Sequence, residues 1–252
     1  MLEIKNLHLF LGNRHVLQNI NLALPINGDI IGVMGPNGAG KSSLLKSITK
    51  TFKASGQITI NDQPIHKHLK KLSYIPQKSQ LDLDFPINVE KVILSGCFKH
   101  IGWFRKISHY DKGRYIKLIK DLELYDLRHR QIKALSGGQL QRVLVARALM
   151  SQSDVYLLDE PFTGIDFHSE AVIFKQIEKL KQEGKLVIIV HHDIQSARDY
   201  FDKVILINQD IIAFGETQDV LTDMHINRTF NQASRAKAHQ GLAFQRKEVT
   251  QP

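Results

Sequence analysis

The chain of 252 residues lacks any apolar run close to the roughly 20 residues that a membrane-spanning helix needs. Residues 1–5, Met-Leu-Glu-Ile-Lys, lack the basic and then apolar plan of a signal peptide. We therefore expect a chain that does not itself cross a membrane. A single cysteine, Cys97, excludes an intramolecular disulfide framework, and we interpret it as a buried small side chain rather than a nucleophile.

The chain also has few acidic residues for its basic content, with 34 Lys and Arg against 25 Asp and Glu, a net charge of +9. Such a surplus suits nucleic acid, an anionic membrane face or phosphorylated ligands. The basic residues are scattered along the chain rather than concentrated in one stripe. The charge alone therefore does not choose among these partners, and a generic charged surface explains it as well.

Short apolar runs alternate with helical patterns along most of the chain. The runs at 29–35, 155–160, 186–192 and 203–210 are typical of strands buried on both faces of a parallel sheet. Helical periodicity separates them, as in KSSLLKSITK, GQLQRVLVARALM and SEAVIFKQIEKLKQEG, the last closed by Gly184. The opening residues 2–11 alternate with period two, which predicts a half-buried strand. This order of elements predicts an α/β fold.

Two regions depart from that rhythm. Residues from about 88 to 135 are predicted to be helical and poor in strands, which suggests a helical subdomain inserted into the α/β core. From about residue 231 the sequence becomes polar, basic and aperiodic. We predict one domain over residues 1–230 and a mobile tail over 231–252.

The segment GPNGAGKS has the spacing G-x-x-x-x-G-K-[ST] and lies between a predicted strand and a predicted helix. That context is what a phosphate-binding loop requires, because glycines let backbone N–H groups turn toward an anion at a helix N-terminus. Lys41 would reach the β and γ phosphates of a nucleotide, and the Ser42 hydroxyl would ligate Mg²⁺. The predicted nucleotide-binding residues here are Gly35, Pro36, Asn37, Gly38, Ala39, Gly40, Lys41, Ser42 and Ser43.

Two carboxylates, Asp159 and Glu160, end the apolar strand of VYLLDE. Ligands of open α/β sheets bind at this end of the strands. Asp159 is predicted to hold the Mg²⁺ ion, directly or through water, and Glu160 to deprotonate a water that attacks the γ phosphate. A general base beside a nucleotide predicts hydrolysis and not binding alone.

The segment LSGGQ is a second glycine pair at a helix start, with Ser136 as the expected N-cap. It predicts a second anion site, although one chain has only one phosphate loop. If this site faces the nucleotide of another copy, the catalytic pocket is complete only in a dimer. The residues concerned are Ser136, Gly137, Gly138 and Gln139.

With these motifs in order, residues 2–230 closely resemble the ATP-binding subunit of ABC transporters. The resemblance implies a P-loop NTPase core with an N-terminal antiparallel β-subdomain and an inserted α-helical subdomain. It also implies ATP and Mg²⁺ as ligands and assigns three further positions: Gln77 (Q-loop, catalytic and near the metal), Asp166 (D-loop) and His192 (switch histidine). The expected partners are a second copy and a separate membrane permease, on the cytoplasmic face of the membrane.

Two positions differ from the family pattern. Leu11 stands where the family usually has an aromatic residue that stacks on adenine, and strand alternation would point neighbouring Phe10 to the other face. The stacking partner of the base is therefore left open. The pair His191-His192 offers two candidates for the switch histidine, and alignment with the family favours His192.

The combination of LDLDFPINVEKVILSG, GWFRKISHYDK, DEPFTGID and RDYFDKVILIN resembles the subfamily that takes up manganese, zinc or iron, working with an external metal-binding protein. Two alternatives stay open: another cargo such as chelated iron, or a cytosolic ABC-type ATPase acting on nucleic acid. The net charge of +9 favours the second, while the single nucleotide-binding unit, the lack of a long coiled-coil insertion and the permease-subunit-like segments near Gln77 count against it. Twelve histidines suggest direct metal binding, but the groupings His66/His68 and His191/His192 lack companion ligands at zinc spacing. We interpret these histidines as solvated or structural.

Overall fold

The computed structural model describes residues 1–80, 83–102 and 106–230, which form two β-sheets with helices packed around them. Within those ranges we find no helix with the length and apolarity needed to cross a membrane. The predicted mobile tail, residues 231–252, lies outside the described residues, so its mobility and the boundary at 230 stay predictions.

The smaller sheet has four antiparallel strands in the order β2-β1-β4-β5. Asn6 has a φ of +48° at a register shift in β1, and this bulge lets Leu7 and Leu9 continue the buried face. Alternation placed Leu11 on that face too, but the side chain is 41% exposed because β1 ends there beside a hairpin turn. The strands are β1 (Leu2–Leu11), β2 (Arg14–Leu24), β4 (Ser55–Ile60) and β5 (Gln63–Pro64).

The larger sheet has six strands in the order β10-β9-β3-β8-β7-β6. All neighbouring pairs are parallel except the edge pair β9 and β10. Every residue of β3, β7 and β8 is buried, as the continuous apolar runs predict. The strands are β3 (Ile30–Met34), β6 (Leu72–Ile75), β7 (Val155–Asp159), β8 (Leu186–Val190), β9 (Lys203–Asn208) and β10 (Asp210–Glu216).

The helices agree with the sequence pattern where that pattern is strong. The longest, α6, begins after its N-cap Asp166 and ends just before Gly184, whose φ of +73° is the left-handed conformation that glycine adopts readily after a helix. The helices are α1 (Lys41–Ile48), α2 (Val89–Leu94), α3 (Phe98–Ile101), α4 (His109–Asp121), α5 (Gly137–Met150), α6 (Phe167–Gln182), α7 (Ile194–Tyr200) and α8 (Thr217–Val220).

Two hydrophobic cores lie on opposite faces of the larger sheet. Neighbouring residues of β7 divide between them: Leu157 packs with the smaller sheet and α1, whereas Leu158 packs with α5, α6 and the helices inserted between β6 and β7. In this insertion α2 and α4 pack against α5. The predicted α/β class, antiparallel β-subdomain and inserted helices are therefore confirmed.

Candidate functional site: the phosphate loop and the strand ends beside it

The candidate site forms where four parallel strands of the larger sheet end. The phosphate loop follows β3, Gln77 follows β6, Asp159 ends β7 with Glu160 directly after it, and His192 follows β8. Because these strands are parallel, their carboxyl ends meet at one edge of the sheet. Residues far apart in the chain are thereby brought together around the phosphate loop.

The loop at 35–40 depends on glycine at its last position. Gly40 has a φ of +101°, a conformation that other residues rarely adopt. A Cβ atom at this position would lie 2.6 Å from a Leu17 methyl carbon and 3.0 Å from the Val16 carbonyl oxygen. The loop therefore passes close to β2 and turns directly into α1, which leaves its N–H groups at the helix N-terminus.

We expect Gly40→Ala to lower the free energy of unfolding by about 1–3 kcal/mol, because it combines strain at positive φ with a steric clash. Gly113→Ala is the matched control, since Gly113 lies inside α4 with no atom within 4 Å of an added Cβ. In that helix alanine should be neutral or stabilise the protein by about 0.5–1 kcal/mol. Urea unfolding of both variants measures the difference, and equal stabilities would contradict the prediction.

Lys41 occupies the centre of the loop. Its Nζ donates hydrogen bonds to the carbonyl oxygens of Gly35 at 2.8 Å and Pro36 at 3.0 Å, and its side chain is buried. Burial lowers the pKa of this ammonium group, and the nearby charges of Glu160 and Asp159 oppose the shift. The Lys41 ammonium group is largely shielded from water and bound to two carbonyl oxygens. It can exchange these hydrogen bonds for bonds to phosphate oxygens.

Ser42 and Asp159 meet beside the lysine. The Ser42 hydroxyl donates to Asp159 Oδ1 at 2.8 Å, and the Tyr74 hydroxyl donates to Oδ2 at 3.2 Å. Asp159 is 1% exposed, and burial is the main reason why its pKa is raised. The pKa of Tyr74 is raised as well, by burial and then by the Asp159 charge. This pair of oxygen ligands, a hydroxyl and a carboxylate, has the chemistry that Mg²⁺ prefers.

Glu160 is held from both sides. The Gln77 amide donates from Nε2 to Oε2 at 2.8 Å, while His192 Nε2 lies 2.5 Å from Oε1. The Thr163 hydroxyl adds a longer hydrogen bond to Oε2 at 3.4 Å. Glu160 itself has a φ of +54°, an unusual conformation for glutamate that turns the chain directly after β7. The carboxylate is thus oriented by three side chains, two of them predicted site residues.

The two adjacent histidines have different environments. The His191 ring is half-buried against Phe162 and Phe201, its Nε2 lies 2.8 Å from the Ser196 hydroxyl, and this partial burial lowers its pKa. His192 contacts Glu160 instead. The geometry therefore brings His192, the histidine that alignment favours, to the carboxylate and turns His191 toward Phe162 and Phe201.

The LSGGQ segment starts α5 with a capping box, because Ser136 Oγ accepts from the Gln139 N–H and Gln139 Oε1 accepts from the Ser136 N–H. Gly138 packs closely on α6: an added Cβ would lie 2.4 Å from Ser169 Oγ and 2.8 Å from Asp166 Oδ2. Asp166 caps α6 through its bonds to Ser169. Within the described ranges no hydrogen bond joins residues 136–139 to the loop at 35–42, so the chain holds two separate candidate anion sites.

Sequence reasoning missed Arg14, Tyr74 and Thr163. Arg14 lies across the hairpin from Leu11, and its Nη2 donates to the Gly38 carbonyl oxygen at 3.3 Å. The sequence carries no local signal for this contact, which depends on how β2 packs against the loop. In the adjacent cross-strand pair of the same hairpin, Phe10 stacks on the ring of His15 with centroids 4.0 Å apart.

The comparisons with known proteins agree with this geometry. The sequence profile described as ABC transporter matches residues 17–163, which include the phosphate loop, the LSGGQ segment and the Asp159-Glu160 pair. The chain belongs to the ABC transporter family. As an ATP-binding member of that family it is an ATPase, which confirms the predicted activity and the predicted resemblance.

Among curated ABC proteins, the manganese transport system ATP-binding protein MntB of Halalkalibacterium halodurans is 39% identical over 231 residues, covering 91% of this chain and 92% of the relative. The zinc transport system ATP-binding protein TroB of Treponema pallidum is 38% identical over 229 residues, covering 90% of this chain and 86% of the relative. Both alignments extend well beyond the nucleotide motifs.

Among solved ABC structures, a putative metal-chelate type transporter in an inward-facing conformation superposes with a TM-score of 0.77 at 28% identity, over 90% of this chain and 88% of the other. A dimeric ATP-binding cassette in a post-hydrolysis state, bound to ADP and phosphate, superposes with a TM-score of 0.74 at 27% identity, over 86% and 99%. The ABC ATPase fold of this chain is therefore established.

Proposed function

We propose that this ABC protein is the ATP-hydrolysing subunit of an importer for a divalent metal ion, namely manganese, zinc or iron. The observation that carries the ATPase role is the Glu160 carboxylate, held by Gln77 and His192 beside the Ser42–Asp159 pair. The names of the manganese and zinc transport relatives, at 39% and 38% identity, support the metal cargo. The permease is a separate membrane protein, fed by an external metal-binding protein, and this chain works on the cytoplasmic face.

The phosphate loop binds the β and γ phosphates of ATP. Its N–H groups and the N-terminus of α1 face the anion, and Lys41 transfers its hydrogen bonds from loop carbonyl oxygens to phosphate oxygens. Ser42, Asp159 and the amide oxygen of Gln77 would hold Mg²⁺, since they offer the oxygen ligands that this ion takes. When bound, Mg²⁺ neutralises charge on the β and γ phosphates.

Glu160 accepts the proton of the attacking water. The amide of Gln77 and the ring of His192 orient its two oxygen atoms, so that one stays directed at the water during attack on the γ phosphate. His192 also contacts the γ phosphate in this proposal. These three residues therefore act together, and the loss of any one should affect the chemical step more than nucleotide binding.

The LSGGQ segment binds the γ phosphate held by a second copy of the chain. Within the described residues, no hydrogen bond joins residues 136–139 to the chain's own phosphate loop, although they present a helix N-terminus. Two copies would thus enclose two ATP molecules, with Asp166 near the shared interface. Cleavage removes the group that joins the two copies and lets them separate.

The permease docks through one of its helices in a groove next to Gln77. The groove lies between β6, the strand leading to Gln77, and the inserted helices, so a permease helix seated there would move with the ATP-dependent closure. Aromatic, aliphatic and basic side chains mix along it, which suits an amphipathic partner helix. Lining residues include Tyr74, Phe98, Lys99, Leu144 and Arg147.

Ser136→Ala tests whether the Ser136 hydroxyl binds the γ phosphate held by the partner copy or only caps α5. Loss of the cap should cost about 0.5–2 kcal/mol of stability. Loss of a hydroxyl donor to the partner's phosphate should lower ATP turnover about tenfold or more. Asn88→Ala is the matched control, because Asn88 caps α2 through the Lys91 N–H and lies outside the site. Equal turnover in the two variants, measured as phosphate release, would refute the dimer role.

The cargo is tested in cells that carry Lys41→Ala in place of the native chain. We expect accumulation of the transported metal to fall to the level of cells without the chain, while Lys53→Ala, a change outside the loop, leaves it unchanged. Elemental analysis for manganese, zinc and iron identifies the cargo. Unchanged levels of all three, or salt-dependent binding of nucleic acid by the purified chain, would contradict the importer assignment.

A further inference from the structure

Three potential metal ligands come together in the inserted helices, at a distance along the chain from the nucleotide motifs. The sulfur of Cys97, a ring nitrogen of His100 and a carboxylate oxygen of Asp111 all lie within 4.8 Å of one another. Ligand atoms around one zinc ion lie roughly 3–4 Å apart, as its bond lengths imply. Across residues 1–80, 83–102 and 106–230, this is the one such group of three His, Cys, Asp or Glu side chains.

The fold supplies the convergence. A 3-10 turn, Ser95–Cys97, continues directly into α3, so that Cys97 and His100 lie three residues apart on one face. Asp111, in the first turn of α4, meets that face. Cys97 and Asp111 are buried, while the His100 side chain is 32% exposed, which leaves the cluster an opening to solvent.

The carboxylate is already oriented for a ligand. The Ser108 hydroxyl donates to Asp111 Oδ2 at 2.6 Å, which turns Oδ1 toward His100 Nε2 at 3.1 Å. Hydrogen bonds of this kind orient the first ligands of metal sites. In the part of the chain that the structure describes, the Cys97 sulfur takes part in no hydrogen bond, so it has no polar contact to lose by binding an ion.

We propose that Cys97, His100 and Asp111 bind a zinc-type transition metal ion, with water in the fourth position. Thiolate, imidazole and carboxylate are the three ligand types of zinc, and a thiolate disfavours Mg²⁺ and Mn²⁺. The Cys97 thiol releases its proton to solvent as the ion binds. The thiolate and the carboxylate then balance the charge of a divalent cation. This site holds an ion on the chain itself and does not depend on the identity of the cargo.

The test uses the full, nucleotide-free chain titrated with Zn²⁺ against a coloured competing chelator. We expect one tight site per chain, weakened more than about 100-fold by His100→Ala, since the loss of an outer partner alone costs about 10- to 100-fold. Ser108→Ala should fall in that lower range. His129→Ala is the control, because the exposed His129 also lies beside a carboxylate, Glu90, and should leave affinity unchanged.

His192 and Glu160 could also attract zinc, so His192→Ala is measured in parallel and should keep the tight site. Loss of the site in His192→Ala, its retention in His100→Ala, or the absence of tight binding in the native chain would each overturn the proposal. Because His100 is partly exposed, that variant should fold, which circular dichroism checks. Co²⁺ adds a second readout: a thiolate-to-metal absorption band in the native chain, absent from Cys97→Ser.

Discussion

Glu160→Gln should lower ATP turnover by about 10²- to 10⁴-fold, the range typical of losing a general base. The substituted amide cannot take a proton from the attacking water, yet it has nearly the same size and can keep a hydrogen bond to its neighbours. Lys41, Ser42 and the phosphate loop are unaltered, so ATP binding should persist. Two copies should then remain joined around uncleaved ATP.

Phosphate release and light scattering in the presence of ATP measure the two halves of this prediction. Glu178→Gln is the matched control, because Glu178 is an exposed glutamate of α6. This substitution should leave both the ATP turnover and the molecular mass measured by light scattering equal to those of the native chain. A Glu160→Gln protein that stayed monomeric with ATP and kept its turnover would contradict both the assignment of Glu160 as the general base and the proposal that ATP joins two copies.

His192→Ala should lower turnover by about 10²- to 10³-fold, as when one preorganised hydrogen-bonding group is removed from a transition state. The change removes the contact at 2.5 Å that orients Glu160 Oε1. It also removes the contact that we propose between His192 and the γ phosphate. The control is His191→Asn, which keeps a polar group for Ser196 and should stay within about threefold of native turnover.

The double variant Glu160→Gln, His192→Ala adds a sharper test. If His192 acts by orienting Glu160, its removal should cost little once the Glu160 carboxylate is already gone. The double variant should therefore turn over ATP at nearly the same rate as Glu160→Gln alone. Multiplicative losses would mean that the histidine works independently of Glu160. A His192→Ala protein with full turnover would refute the switch role.

The sequence alone determined the α/β class, the central buried strands, the longest helices and, through the order of its motifs, the family. Continuous apolar runs predicted the buried strands, a helical period predicted α5 and α6, and the glycine spacing of 35–42 predicted a phosphate loop. These signals are local: they depend on side-chain periodicity and on backbone conformations within a few residues. They also placed Asp159 and Glu160 at the end of a strand, whereas Gln77 and His192 were assigned by the resemblance to the family.

Only the tertiary structure decided which of those candidates touch. The bonds from Gln77 and His192 to Glu160 join residues 83 and 32 positions apart. The exposure of Leu11, the reach of Arg14 to the phosphate loop and the meeting of Cys97, His100 and Asp111 were likewise hidden in the sequence. These features could not be predicted for one physical reason: each depends on how whole strands and helices pack, and no local pattern of residues encodes that packing.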